Sequence, residues 1–229
     1  MHAGIGSIAK AALGAAFLLW AGIAMPQASE SAADRALITA AIKGDLAGVT
    51  RALKDGATVD VRDNRGRTAL LIATHRDEPA TARVLIEAGA NPNIKDNIQD
   101  SAFLYAGAEG RNEILKAILD TGKADLASTN RYGGTALIPA AHHGHPETVK
   151  ILLRTGIDKD HVNNLGWTAL LEAVILGDGG KVHTEIVRLL VKAKANVNIA
   201  DREGVTPLGH AKRRGYAEIA KILMDAGAR

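Results

Sequence analysis

The strongest constraint on this chain is a six-residue phrase that returns five times at nearly constant spacing. It reads Thr68-Ala-Leu-Leu-Ile-Ala73, Ser101-Ala-Phe-Leu-Tyr-Ala106, Thr135-Ala-Leu-Ile-Pro-Ala140, Thr168-Ala-Leu-Leu-Glu-Ala173 and Thr206-Pro-Leu-Gly-His-Ala211. The first residues lie 33, 34, 33 and 38 apart. A period of this length marks stacked units, each too small to bury its own apolar face. A stack works by presenting a long surface, so function is sought first on a surface and not in a catalytic cleft.

The residues around the phrase specify the unit. Each copy follows a turn: Asp63-Asn-Arg-Gly66, Asp96-Asn-Ile-Gln99, Asn130-Arg-Tyr-Gly133, Asn163-Asn-Leu-Gly166 and Asp201-Arg-Glu-Gly204. Asp or Asn followed by Gly suits a tight turn with a left-handed residue. The Thr or Ser that opens the phrase is placed to N-cap a first helix, and Pro207 falls at the first helical position, where it sacrifices no hydrogen bond. Apolar residues then recur at helical spacing, as in Val149, Ile151, Leu152, Leu153 and in Ile186, Val187, Leu189, Leu190. The second helix closes at Gly56, Gly89, Gly122, Gly156 and Gly227, the expected left-handed caps, whereas the fifth unit has Lys194 there.

These linked features resemble the ankyrin repeat. The resemblance covers about Ser31 to the end and implies an all-α solenoid of about six helix-turn-helix units with β-hairpin-like turns between repeats. The units run about 34–62, 63–95, 96–129, 130–162, 163–200 and 201–229, within a domain of 29–229. The first unit lacks the turn motif, as an N-terminal cap does. One departure is systematic. The family's His after the Leu is Leu71, Leu104, Ile138, Leu171 and Gly209 here, so aliphatic packing is expected to replace its hydrogen bonds to the turn.

The N-terminus has a different composition. Lys10 precedes fifteen uncharged residues, Ala11–Met25, and small residues follow at Gly22-Ile-Ala24 and Ala28. This pattern predicts a signal peptide over 1–28, cleaved after Ala24 or Ala28. The competing reading is an uncleaved anchor, for which the apolar run falls short of the ~20 residues a span needs. The expected location is periplasmic or secreted, with no stable membrane span after cleavage. The chain has no cysteine, hence no disulfide. Its formal charge is +3, too small to argue for nucleic acid as a partner.

Three features invite chemistry. Arg83, Lys116, Lys150, Arg188 and Lys221 share one repeat position, but Glu113, Glu147, Glu185 and Glu218 lie three residues before four of them, so a self-paired, solvated face is expected. His142-His143-Gly144-His145 resembles a metal cluster, yet adjacent helical side chains point about 100° apart and no neighbouring spacing completes a tetrahedral set. Gly177-Asp178-Gly179-Gly180-Lys181 lacks the spacing and the Ser or Thr of a phosphate loop, and the 38-residue interval marks it as an insertion expected to lengthen the inter-helix turn flexibly. No catalytic constellation, metal site or cofactor site is read from the sequence.

Variation among copies separates surface from scaffold. Turn tips, the position before the recurring Ala and the end of the first helix change in every copy. In proteins that resemble this family these positions form the concave face that grips partners. The expected partner-binding residues are Ile98, Tyr105, Arg131, Tyr132, His142, His143, Leu165, Trp167, Glu172 and Arg202. Aromatic residues and Arg on turns suit binding hot spots. Trp167 either serves as such a contact or folds back on the neighbouring turn. The reading is a monomeric, non-enzymatic module that binds another protein. The competing reading is a metal- or anion-binding envelope protein using His142 and His143, or the basic run Lys212-Arg213-Arg214.

Overall fold

The structure, a computed structural model, describes residues 31–229. The expected signal peptide lies outside the described residues. Twelve helices alternate as six pairs: α1 (Ala32–Lys43) with α2 (Leu46–Lys54), α3 (Ala69–His75) with α4 (Pro79–Glu87), and α5 (Ala102–Ala108) with α6 (Asn112–Asp120). The remaining pairs are α7 (Leu137–His142) with α8 (Pro146–Leu152), α9 (Ala169–Ile175) with α10 (Lys181–Lys192), and α11 (Pro207–Arg213) with α12 (Ala217–Asp225). First helices touch first helices of the next pair and second helices touch second helices, which makes two parallel layers. Among the described residues no strand forms. The hairpin-like turns remain turns, with one isolated bridge between Arg62 and Thr68.

The repeated phrase builds the seam between the layers. Its alanines Ala69, Ala73, Ala102, Ala106, Ala136, Ala140, Ala169, Ala173 and Ala211 are all buried. Small side chains let successive first helices approach closely, and Leu70, Phe103, Leu137, Leu170 and Leu208 fill the space beside them. The four aliphatic residues that stand at the family's His position, Leu71, Leu104, Ile138 and Leu171, are buried as expected. Each fully buried Leu stabilises the stack by roughly 1.5–3 kcal/mol.

The turn chemistry follows one template. The side-chain oxygen of Asp63, Asp96, Asn130, Asn163 or Asp201 accepts from the amides two and four residues on. The fourth residue of the turn is left-handed even where it is not glycine: Gln99 has φ 68°. Adjacent tips are tied by backbone bonds from Asn97 N to Arg65 O (3.0 Å) and from Asn164 N to Tyr132 O (2.9 Å). Thr68, Ser101, Thr168 and Thr206 cap their helices through the hydroxyl.

Four local expectations need correction. Thr135 does not cap: α7 starts late, after Ala136, and Thr135 Oγ1 is buried without a partner. Pro139 is the reason. It has no N–H to give to Thr135 O, so Ile138 N turns to that carbonyl instead (3.1 Å) and is lost to the hydroxyl. Gly156 is not left-handed; Thr155 beside it donates its hydroxyl to Leu152 O (2.7 Å) and accepts from Ile157 N (3.2 Å). Lys194 does keep the left-handed backbone, at φ 65°.

The insertion is neither confined to the turn nor loose. It is shared between the turn and helix α10, which has 12 residues where α4 and α6 have 9. It is also anchored. The Tyr216 hydroxyl donates to Gly177 O (3.0 Å), and Gly179, at φ 69°, lies against the Tyr216 ring. The charged row pairs across repeats as well as within them. Lys150 pairs with Glu147 (3.5 Å) and Arg188 with Glu185 (3.0 Å), but Arg188 also reaches Glu218 of the next repeat (2.9 Å). Lys221 pairs with Asp225 (2.7 Å) and not with Glu218.

Candidate functional site

The first helices and tips of the third, fourth and fifth units enclose a groove of about 470 Å³. The constant residues set its shape, since each capped first helix delivers its variable side chains to the same side. Seven of the ten expected residues line it: Tyr105, Arg131, Tyr132, His142, His143, Leu165 and Glu172. Asp100, Glu109, Pro139 and Leu176, from the same variable positions, complete the wall. Asn163 joins them; it is a turn residue, and no spacing in the sequence reveals its second role.

Three expected residues stand elsewhere. Ile98 is 53 % exposed at its tip but does not line the groove. Trp167 is half-buried on the turn, outside the groove lining. Arg202 reaches back along the stack and donates to Asn164 O (2.6 Å), with its stem over Gly166. It ties the fifth tip to the sixth, a scaffold task that its position as a turn residue conceals.

The apolar part of the groove is open. Tyr132, Leu165 and Leu176 are 53, 47 and 41 % exposed. The Arg131 guanidinium lies 4.8 Å from the Tyr132 ring centre and 3.8 Å from Asp100 Oδ1. Burial, and then the nearby Asp96, raises the Asp100 pKa above the usual carboxylate value. Tyr105 has its hydroxyl pKa raised by burial, then by Glu109.

The floor holds Glu172, a carboxylate on α9 with a side chain only 7 % exposed. Asn163 Nδ2 donates to its Oε1 (2.8 Å), and His142 Nδ1 lies 3.7 Å from Oε2, beyond hydrogen-bond reach. Removal from water raises its pKa to about 7, against the lowering effect of Asn163. His142 is shifted down, by burial first and then by His143 and His183. His143 Nδ1 is engaged with Ala108 O (2.8 Å), with Glu109 Oε1 3.5 Å away. His145 is likewise shifted down by burial and then by His143.

The sixth unit repeats the Glu172 geometry in another form: His210 Nε2 lies 2.6 Å from Asp201 Oδ2. In both units a residue one place beyond the family's His position restores the link between first helix and turn.

The metal reading finds no further support in this arrangement. Among the described residues no group of three or more His, Cys, Asp or Glu is placed to hold an ion. The His142 and His143 rings lie 4.8 Å apart and tilted by 57°. Lys212, Arg213 and Arg214 are exposed on the last unit, away from the groove, with Arg214 directed over the Tyr216 ring (5.9 Å). No described helix is long and apolar enough to cross a membrane.

Comparison with known proteins agrees with this architecture. A family model described as ankyrin repeats (3 copies) matches residues 10–96, 102–201 and 160–229. The ankyrin repeat protein YahD of Escherichia coli K12 is 38% identical over 192 residues, covering 83% of this chain and 95% of that protein. The crystal structure of an ankyrin repeat domain from Acinetobacter baumannii AYE superimposes with a TM-score of 0.82 at 55% identity, covering 84% of this chain and 98% of that one. The ankyrin domain of Bcl-3, described as a unique member of the IkappaB protein family, gives a TM-score of 0.76 at 31% identity and covers 85% of this chain and 86% of that one. Ankyrin repeats typically bind proteins and are generally non-enzymatic scaffolds. With the repeated phrase, its caps and its paired layers matched along nearly the whole described length, the chain belongs to the ankyrin-repeat family.

Proposed function

We propose that this chain is an exported, monomeric adaptor that binds a partner protein through the groove of its third to fifth units and performs no reaction of its own. The observation that carries the reading is the gathering of seven variable residues, from three separate repeats, on one groove with exposed Tyr132, Leu165 and Leu176. Packing does not require these side chains to be apolar, and open apolar groups on a polar background favour contact with another molecule. Tyr132 and Arg131 offer a large contact area with few rotors to immobilise. Export rests on Lys10, the apolar run Ala11–Met25 and the small-residue exit before Ser31, where the first helix is capped.

The test is photo-crosslinking in cells from position 132, with position 150 on the second-helix layer as a control. The adaptor reading expects one protein captured from 132 and not from 150. Equal capture from both positions would remove the groove as the binding site. N-terminal sequencing of the protein recovered from the cell envelope or the medium tests export, and an intact Met1 in a cytoplasmic fraction would overturn it.

A further inference from the structure

The groove differs in charge from the molecule that carries it. The chain has a formal charge of +3, yet the groove is lined by the carboxylates of Asp100, Glu109 and Glu172 against the single guanidinium of Arg131. That guanidinium is already committed to Asp100 and the Tyr132 ring. Of the two histidines of the wall, His142 is biased toward the neutral form by burial, and His143 Nδ1 is engaged with Ala108 O. Glu172 is the deepest of the acids. One oxygen is satisfied by Asn163, and the other has only His142 Nδ1 at 3.7 Å.

Glu172 Oε2 has no hydrogen-bond partner and little access to water, so the carboxylate is costly to ionise unless a cation joins it. The bond from Asn163 ties the first helix to the turn, but that tie needs only an acceptor oxygen and not an acid. The equivalent positions hold Ile72, Tyr105, Pro139 and His210. Above the floor, the exposed rings and stems of Tyr132, Leu165 and Leu176 offer an apolar wall to whatever carries the cation. An inorganic cation alone would leave that wall unused, and no three metal-ligating groups converge among the described residues.

We propose that the groove receives a peptide segment that presents a lysine or arginine flanked by apolar residues, with the cation seated on Glu172 Oε2 and its flanks against Tyr132, Leu165 and Leu176. The inference rests on the adaptor reading above and supplies the chemistry of the partner. Lys and Arg fit because a long apolar stem can lie along the wall while the charged head reaches the floor. Glu109, on the same wall and partly exposed, favours approach of positive charge. The preference is local: the rest of the chain, being net positive, repels a basic partner weakly and so helps restrict it to this groove.

The probes are four synthetic heptapeptides, acetylated and amidated, with Leu at the flanking positions and Lys, Arg, Gln or Glu at the centre. Each is titrated into the 15N-labelled full chain at pH 8, and into its Glu172→Gln variant. Gln keeps the shape and the bond from Asn163, so the variant retains the floor. The expected result is amide shifts confined to the third to fifth units, with the Lys and Arg peptides binding about tenfold or more tightly than the Gln peptide and the Glu peptide weakest. In Glu172→Gln the advantage of Lys and Arg over Gln shrinks toward unity. If all four peptides shift the groove equally, the groove remains a binding site and the charge preference falls. If the shifts lie on other faces, or none appear, both readings fall. A Lys preference that survives Glu172→Gln intact overturns the assignment to Glu172, and Glu109→Gln then tests the rim acid directly.

Discussion

Glu172 Oε2 and His142 Nδ1 face each other across neighbouring repeats at 3.7 Å, and burial biases both groups toward their neutral forms. A carboxyl and an imidazole this close would ordinarily form an ion pair. Here burial of the carboxyl outweighs the lowering effect of the bond from Asn163, leaving it at about pKa 7.

The acid has a signature in stability. Its pKa is raised from 4.5 unfolded to about 7 folded, so between these values the folded state holds a proton that the unfolded state has lost. Stability from this group is full below about pH 4.5, declines as pH rises and levels off above 7, a change of roughly 3 kcal/mol at most. His142, with its lowered pKa, acts in the opposite direction within the same range, so the comparison must cancel it. Urea denaturation of the parent and Glu172→Gln at pH 4.5 and pH 8 does so. The variant should gain on the parent between the two pH values, and a constant difference would refute the buried-acid assignment.

Thr135 and Thr168 occupy the same repeat position in different hydrogen-bond states. Thr168 Oγ1 accepts from Leu171 N at 3.2 Å, whereas Thr135 Oγ1 is buried and unpaired. Thr168→Val should cost about 1 kcal/mol through loss of the cap. Thr135→Val should be neutral or stabilising by about 1 kcal/mol, because a buried polar atom without a partner is removed. Thermal denaturation of the two variants checks the contrast.

Lys194 holds a left-handed conformation that glycine adopts without steric cost, at φ 65°. It is exposed, so its side chain has little packing to lose. Lys194→Gly should raise the unfolding free energy by about 0.5–1 kcal/mol, the cost of a side chain at positive φ less the extra entropy of an unfolded glycine. A loss of stability on chemical denaturation would show that Lys194 has a contact of its own.

Tyr216 secures the inserted segment of the fifth unit through its hydroxyl and its ring. Tyr216→Phe should increase amide exchange locally, at residues 177–180, with little change in global stability. Gly179→Ala should be more damaging, since a Cβ there would collide with the Tyr216 ring and the backbone is left-handed. Hydrogen exchange across both variants distinguishes an anchored loop from a free one.

Much of this molecule is legible along the chain because its constraints are local. A recurring Thr or Ser before Ala-Leu places a helix start, an Asp or Asn with a following left-handed residue places a turn, and alanines at fixed offsets mark the seam. These depend on neighbours within a few residues, and the five copies reinforce one another. Comparing the copies also located seven residues of the groove, since positions free to vary are those that packing does not claim. The same logic misplaced Arg202, whose variable turn position conceals a bond to Asn164 O in the preceding repeat. It also left Trp167 open between two roles, and only the fold puts it outside the groove, half-buried on its turn.

What only the tertiary structure decided is dielectric and distance. Nothing in the spacing of Glu172 shows that Asn163, nine residues earlier, donates to it, or that His142 from the preceding repeat stands beside it. Nor does the insertion reveal that Tyr216, in the next unit, holds it down. The sequence by itself determined the number of units, their caps and which faces vary. The stack determined how deeply each variable side chain is withdrawn from water, and desolvation depends on neighbours about thirty residues away, which a periodic pattern does not encode.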